Sequence, residues 1–410
     1  MKNRTKNIIT SALCIVAVCA LCFGGAGCSE VTPTSDNEST PSASTQASAT
    51  SAPQTTAATT AATTAATTVQ TTTQTTTQTT TAATTTTEAT TAEPETAASK
   101  PQQTPEIDIN SYRVIGDNGI LVAGMDNHYR GIMFYGGTYG YCDQYVTDVK
   151  AFQAALPQVS VYSMVIPTSV DFYNPAEYAG YTAVQKDKID YIESELKSTG
   201  VTNVRVYDVL AKHTDEEIYA RTDHHWMPLG AYYAAEQFCK AAGVKISPLS
   251  KYRAETYGGY VGSMYYYSSD VNLYNDPEDY TVYYSPNEDK LTTTYYDRYY
   301  SNGYESNLFV CSDASYYYLS FLGSDDLIAH VKTNVKNGRN LVVIKESYGN
   351  ALIPFFTEAF ENIYVLDLRY CELNAIDFCK KVDATDLLFA NCAYTVAGGN
   401  CEYFSYIRNI

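Results

Sequence analysis

Apolar positions are sparse and without period up to about residue 105, apart from one run at the N-terminus, and become dense and periodic beyond it. The segment VSVYSMVIP (159–167) is a near-continuous apolar run ending in proline, which predicts a buried strand. In AVQKDKIDYIESELKSTG (183–200), Ile189, Ile192 and Leu196 recur at helical spacing and Gly200 supplies the stop. VRVYDVL (204–210) predicts a second strand, and a helix follows from about Gly230 to Ala242. NLVVI (340–344) predicts a third buried strand, with a turn and helix in ESYGNALIPFF (346–356). IYVLDL (363–368) and DLLFANCA (386–393) are strands four and five. Strands alternating with helices predict an α/β domain, a mainly parallel sheet flanked by helices on both faces.

Residues 252–320 break this rhythm. They are crowded with Tyr at alternating spacing and interrupted by Gly, Asn, Asp and Pro, which predicts an irregular β-rich insert. Two roles stay open for these rings. They are packing residues, or they form a sugar-contacting face, since a hydroxylated ring both stacks on a sugar and hydrogen-bonds it.

The N-terminal run reads as an export signal: Lys2, Arg4 and Lys6 precede a mostly apolar stretch over residues 8–23. GGAGC then ends at Cys28, similar to a bacterial lipobox, in which the Cys takes lipid. Gly25 departs from the Leu of that motif, and an uncleaved signal anchor is the alternative. Either reading places the rest of the chain outside the cell, tethered to the membrane. Residues 29–105 are Thr/Ala-rich and low in complexity, with too little apolar bulk to offset ordering entropy. They read as a disordered linker, with ends about 50 Å apart as a bare coil. Residues 106–410 form the globular part, long enough for one large domain.

Removing residues 1–27, which hold three basic and no acidic residues, takes the net charge from -18 to -21. A charge of that sign excludes nucleic acid as a partner and disfavours lying flat on an anionic membrane. Seven Cys remain in the body (142, 239, 311, 371, 379, 392 and 401), an odd number without a CxxC pair. They read mainly as small buried hydrophobes, with one or two disulfides among the C-terminal four as the alternative.

The only Trp and two of the five His fall together in RTDHHW (221–226). In an extended segment Asp223 and His225 share a side, so the carboxylate accepts from one imidazole nitrogen and leaves the other as a base. His224 would point the opposite way, and Trp226 would wall the site against water. A metal site needs a third or fourth ligand, and His128, His213 and His330 show no ligand spacing, so no metal and no cofactor are expected. The candidate nucleophile is Ser347, at a strand-to-helix turn, where side chains of parallel sheets gather and helix N–H groups stabilise an oxyanion. VVIKES lacks the GxSxG elbow, so the chain is not a usual α/β-hydrolase.

TDHHW…GAYYAA, YYYLSFLGSDDL (316–327) and VVIKESYGNALIPFF…IYVLDLRY together resemble the DHHW family of exported bacterial proteins. That family is similar to the SGNH-like O-acetyltransferases of exported polysaccharides, such as those acting on alginate. The resemblance implies an SGNH-hydrolase-like fold and a triad of Ser347 as nucleophile, His225 as base and Asp223 as orienter, with an acyl-Ser intermediate. It implies an extracytoplasmic O-acyl (acetyl) transferase or esterase. The substrate would be a cell-surface or cell-wall polysaccharide, and a membrane-bound acyltransferase would be the acyl donor. Arg369, at the end of the strand before DLRY closes, is placed to meet substrate or oxyanion. Asn350 and a Gly in FYGGTYG (134–140) are the candidates for the oxyanion hole. Glu346 departs from the family's Asp before the Ser. A non-catalytic glycan-binding surface lipoprotein is the alternative function.

Overall fold

A computed structural model describes residues 108–310 and 314–410, with the side chains of 314–316 left out. The signal segment, Cys28, the linker and Cys311 lie outside the described residues. Among the described residues no helix is long and apolar enough to cross a membrane.

The domain opens with strands β1 (Arg113–Ile115), β2 (Ile120–Met125) and β3 (His128–Met133), which pair into an antiparallel sheet of their own. Helix α1 (Tyr139–Ala155), strand β4 (Ser160–Ile166), helix α2 (Gln185–Leu196), the short β5 (Thr202–Asn203) and helix α3 (Pro228–Ala241) follow. Strands β6 (Arg253–Tyr260) and β7 (Glu278–Tyr284) form a separate two-stranded ladder. The chain continues through β8 (Thr292–Tyr296), β9 (Tyr304–Ser306), β10 (Ile328–Lys332), β11 (Asn340–Lys345), β12 (Asn362–Asp367), helix α4 (Ala375–Lys381), β13 (Asp386–Cys392) and helix α5 (Glu402–Asn409).

The central sheet runs β5-β4-β13-β11-β12-β10-β8-β9. The first five strands are parallel and the last three add antiparallel at one edge. The alternation of side chains along a strand divides its apolar residues between two cores. Leu341, Val343, Leu388 and Ala390 pack with Trp226 and with Ala234, Ala235 and Phe238 of α3. Val342, Ile344, Leu387 and Phe389 pack with Phe152 of α1, Ile192 of α2, Phe378 of α4 and Phe404 of α5. This is the expected mainly parallel sheet with helices on both faces.

One expectation needs correction. VRVYDVL is not a strand: only Thr202–Asn203 pairs with β4, and Tyr207–Leu210 forms a helical turn. Its buried positions 204, 206 and 210 fit either period, and an edge of two paired residues is all that the neighbouring strand offers. The Tyr-rich stretch is the expected irregular β-rich insert: β6 and β7 pair only with each other, while β8 and β9 extend the central sheet beside β10. Cys371, Cys379, Cys392 and Cys401 are buried and free, as are Cys142 and Cys239, in line with their reading as small buried hydrophobes, and no disulfide joins the described cysteines.

Candidate active site

The site lies at the C-terminal ends of the parallel strands, between the loop after Ala220 and the turn after β11. Ala220 N–H donates to the His225 carbonyl (3.2 Å) and Met227 N–H to Ile218 (2.9 Å), so residues 221–224 form a closed loop. Pro228 starts α3 immediately behind it, at a position where its missing N–H costs nothing. The loop is bent rather than extended, and Asp223 reaches His225 by a different route from the one its spacing suggested. Asp223 Oδ1 accepts from the main-chain N–H of His225 (2.9 Å) and lies 2.7 Å from its Nδ1. This is an Asx turn, in which a short carboxylate folds back on the backbone two residues ahead. His225 Nε2 lies 2.8 Å from Ser347 Oγ. The structure therefore joins Asp223, His225 and Ser347 in one hydrogen-bonded chain, with all three residues buried.

Burial alone would raise the pKa of Asp223. The imidazoles of His225 and His224 and the N–H of Ser263, 2.8 Å from Oδ2, overcome it and hold the carboxyl well below the usual carboxylate range. An ionised Asp223 fixes His225 as the Nδ1–H tautomer, leaving Nε2 free to accept the Ser347 proton.

Ser347 opens a 3-10 turn (Ser347–Leu352) directly after β11. Glu346 caps this turn: one carboxylate oxygen accepts from Tyr348 N–H (3.1 Å) and the other from Cys392 N–H (2.9 Å). The longer side chain thus holds the turn and also ties it to the end of β13. Trp226 joins the two halves of the site. Its fully buried indole donates to the Tyr348 carbonyl at 2.9 Å, so it braces the turn beneath the serine rather than walling a substrate. Tyr318 hydroxyl donates to the carbonyls of Ser347 (2.9 Å) and Tyr348 (3.0 Å), while its ring lies parallel to the His225 ring, 3.8 Å away.

Arg369 and Asn350 are likewise internal. The Arg369 guanidinium contacts Asp367 Oδ1 (2.8 Å) and Oδ2 (2.7 Å) and Asp325 Oδ2 (3.0 Å). Asn350 is fully buried and its amide nitrogen donates to Asp325 (2.8 Å), so both side chains are tied into one cluster around that carboxylate. Lys345 completes this cluster, 3.1 Å from Asp325 and 2.9 Å from Asp367. Lys345 and Asp367 are register partners on adjacent parallel strands, which places their side chains together. Burial pushes against the charges of Asp325, Arg369 and Lys345. Their mutual attraction wins, holding Asp325 well below and Arg369 well above their ordinary values and raising Lys345. The two cations and two carboxylates cancel, as a buried network requires. Among the described residues, no hydrogen bond to Ser347, His225 or Asp223 comes from the glycines of FYGGTYG, and Gly137 instead lies against the Tyr135 hydroxyl.

His224 does not point away. Its ring centroid is 3.7 Å from that of His225, and its Nδ1 is 2.5 Å from Ser263 Oγ. The ligand atoms of Asp223, His224 and His225 lie within 4.8 Å of one another. His225 has both ring nitrogens engaged, however, so the cluster is a hydrogen-bonded chain and not an open cation site. Glu278 of β7 holds the loop from below, accepting from Arg221 N–H (2.8 Å) and from the N–H and hydroxyl of Thr222 (both 2.6 Å). Ser263, Glu278, Tyr318, Asp325 and Lys345 carried no reading in the sequence. The one available signal was a charge at the end of an apolar strand in LVVIKES.

The profile of the DHHW protein family matches residues 107–366. A crystal structure of a DHHW family protein from Eubacterium siraeum is 41% identical, superposes with a TM-score of 0.68, and covers 72% of this chain and 98% of its own. The chain belongs to the DHHW family. Bacillus cereus PatB1 is 16% identical with a TM-score of 0.57, covering 69% of this chain and 99% of its own. PatB1 with a sulfonyl adduct is 17% identical with the same TM-score, covering 69% of this chain and 98% of its own. At that identity the PatB1 likeness shows the fold alone, which this DHHW protein shares. No curated protein matches the chain.

Proposed function

We propose that this DHHW protein is an O-acyl (acetyl) transferase acting on a cell-surface or secreted polysaccharide, with ester hydrolysis when water replaces the sugar. The observation that carries this reading is the chain Asp223–His225–Ser347, with contacts of 2.7 and 2.8 Å at the end of a parallel strand. Ser347 Oγ attacks the donor's acyl carbonyl while His225 Nε2 takes its proton and returns it to the leaving group. The first N–H groups of a helical turn lack an intrahelical acceptor. That of Tyr348 is engaged by Glu346. The N–H of Ser347 itself is then the donor assigned to the developing oxyanion in this reading. A sugar hydroxyl next attacks the acyl-Ser with the same imidazole as base.

The export signal, Cys28 and the 29–105 linker support a lipid-anchored, extracytoplasmic location for the domain. A membrane-bound acyltransferase is the donor in this reading, since an anchored domain without free acyl-CoA needs acyl groups delivered through the membrane.

The test incubates the chain from residue 106 with p-nitrophenyl acetate and follows intact mass and the site of modification. The expected result is one acetyl group on Ser347, absent in Ser347→Ala and His225→Ala. No adduct and no ester turnover in the wild type would overturn the reading in favour of glycan binding through exposed rings such as Tyr266 and Tyr274.

A further inference from the structure

We propose that His224 is a second functional imidazole of this site, a neutral N–H donor that binds the acceptor sugar and favours it over water. The inference rests on the acyl-transfer reading above and concerns its second half.

The geometry fixes which nitrogen is free. Ser263 Oγ accepts from the main-chain N–H of His224 at 3.2 Å and lies 2.5 Å from its Nδ1. With the hydroxyl proton directed to Nδ1, the ring carries its own proton on Nε2. Nε2 makes no hydrogen bond to the described residues, whereas both nitrogens of His225 are engaged. The His224 side chain is 17% exposed against 8% for His225, so of the two adjacent rings it is the one nearer solvent. Burial, and then the adjacent His225, push the His224 pKa down to about 3, so the donor carries no charge that would oppose protonation of His225 during turnover.

The neighbouring surface fits a sugar. Ser263 begins the helix Ser263–Ser268, and Tyr266 stands three residues on, on the same helix face, with 53% of its surface exposed. A pyranose stacked on that ring would carry hydroxyls toward His224. Gly262 lets the helix start this close: a Cβ there would stand 2.4 Å from Asp223 Cβ.

In the transfer step the sugar hydroxyl oxygen bonds to the acyl carbon and the bond from that carbon to Ser347 Oγ breaks. The hydroxyl proton passes to His225 Nε2 and then to Ser347 Oγ. His224 Nε2–H donates to an oxygen of the sugar beside the attacking hydroxyl, a contact that water in the same place cannot make together with a stacked ring. His224 thereby raises transfer relative to hydrolysis.

The experiment uses the chain from residue 106, p-nitrophenyl acetate as donor, and a soluble oligosaccharide such as chitotriose as acceptor. Acetylated sugar and free acetate are measured in one reaction, and acetyl-Ser347 formation is followed by mass. His224→Phe keeps a flat ring on His225 but has no donor, and its transfer-to-hydrolysis ratio should fall at least about tenfold, the worth of one hydrogen bond. His224→Gln, which restores an N–H, should recover part of the ratio, and Ser263→Ala should lower it. An unchanged ratio in His224→Phe, or transfer and hydrolysis falling together, overturns the proposal. If His224→Phe does not fold, an unchanged ratio in Ser263→Ala overturns it. Absence of acetyl-Ser347 in the wild type would instead overturn the function it rests on.

Discussion

The Asp223→Asn variant tests the triad most directly. Asp223 accepts three donors: the His225 main-chain N–H (2.9 Å) and Nδ1 (2.7 Å) on one oxygen, and Ser263 N–H (2.8 Å) on the other. An Asn supplies one oxygen and one NH2. With its oxygen toward His225, the amide meets the Ser263 N–H donor to donor, at a cost of about 1–3 kcal/mol. With the amide reversed, its N–H faces His225 Nδ1 and favours the tautomer that carries its proton on Nε2. That tautomer cannot take the Ser347 proton. The expected fall in the rate of acetyl-Ser347 formation is about 10³–10⁴-fold, as for the analogous change in a serine-protease triad, or roughly 4–5.5 kcal/mol of barrier. The assay is a mass-resolved time course with p-nitrophenyl acetate at pH 7, alongside a thermal unfolding curve. A rate within about tenfold of the wild type, or a fall that appears only with unfolding, refutes the assignment.

Replacing Lys345 with Met leaves Asp325 and Asp367 facing each other with Arg369 alone between them. Denaturant unfolding should lose about 3–5 kcal/mol, and a loss below about 1 kcal/mol would contradict the network. Gly262→Ala would drive a Cβ to 2.4 Å from Asp223 Cβ and 2.5 Å from its Oδ2. Displacing the carboxylate should slow Ser347 acylation by about 10²-fold, and wild-type kinetics would show that the loop yields freely. In the fold His224 sits at about 3, below its ordinary 6.5. Between those values the unfolded chain binds a proton that the folded chain does not, so stability falls as pH drops from 6.5 toward 3. The slope is at most about 1.4 kcal/mol per pH unit, and Asp223 adds the same sign at the acid end. Urea unfolding from pH 7 to 5 should show a flatter slope in His224→Phe, and equal slopes would refute it.

Local sequence determined the four central parallel strands β4, β11, β12 and β13, because their apolar runs satisfy both faces of a parallel layer. It also determined the residues of the hydrogen-bonded chain: Asp-x-His before a helix and Ser at the end of a buried strand each bring one part to a strand terminus. An extended spacing of Asp223 and His225 was expected, and an Asx turn delivers the same contact.

Only the tertiary structure decided the rest. Arg369, Asn350 and Trp226 look available on their own segments, yet each is engaged by a group far away in sequence: Asp325, Asp325 again, and the Tyr348 carbonyl. A long-range partner leaves no local trace, so an exposed role was the natural expectation for all three. His224 was expected to alternate away from His225, which holds for a strand. Its loop is instead bent by Glu278 and Ser263, both from the Tyr-rich region, and the two rings lie side by side, tilted by 38°. The Tyr-rich region thus became half of the site. Hydrogen bonds to its backbone and to one buried carboxylate shape the loop 221–224, and such contacts depend on distances in space that residue spacing does not encode.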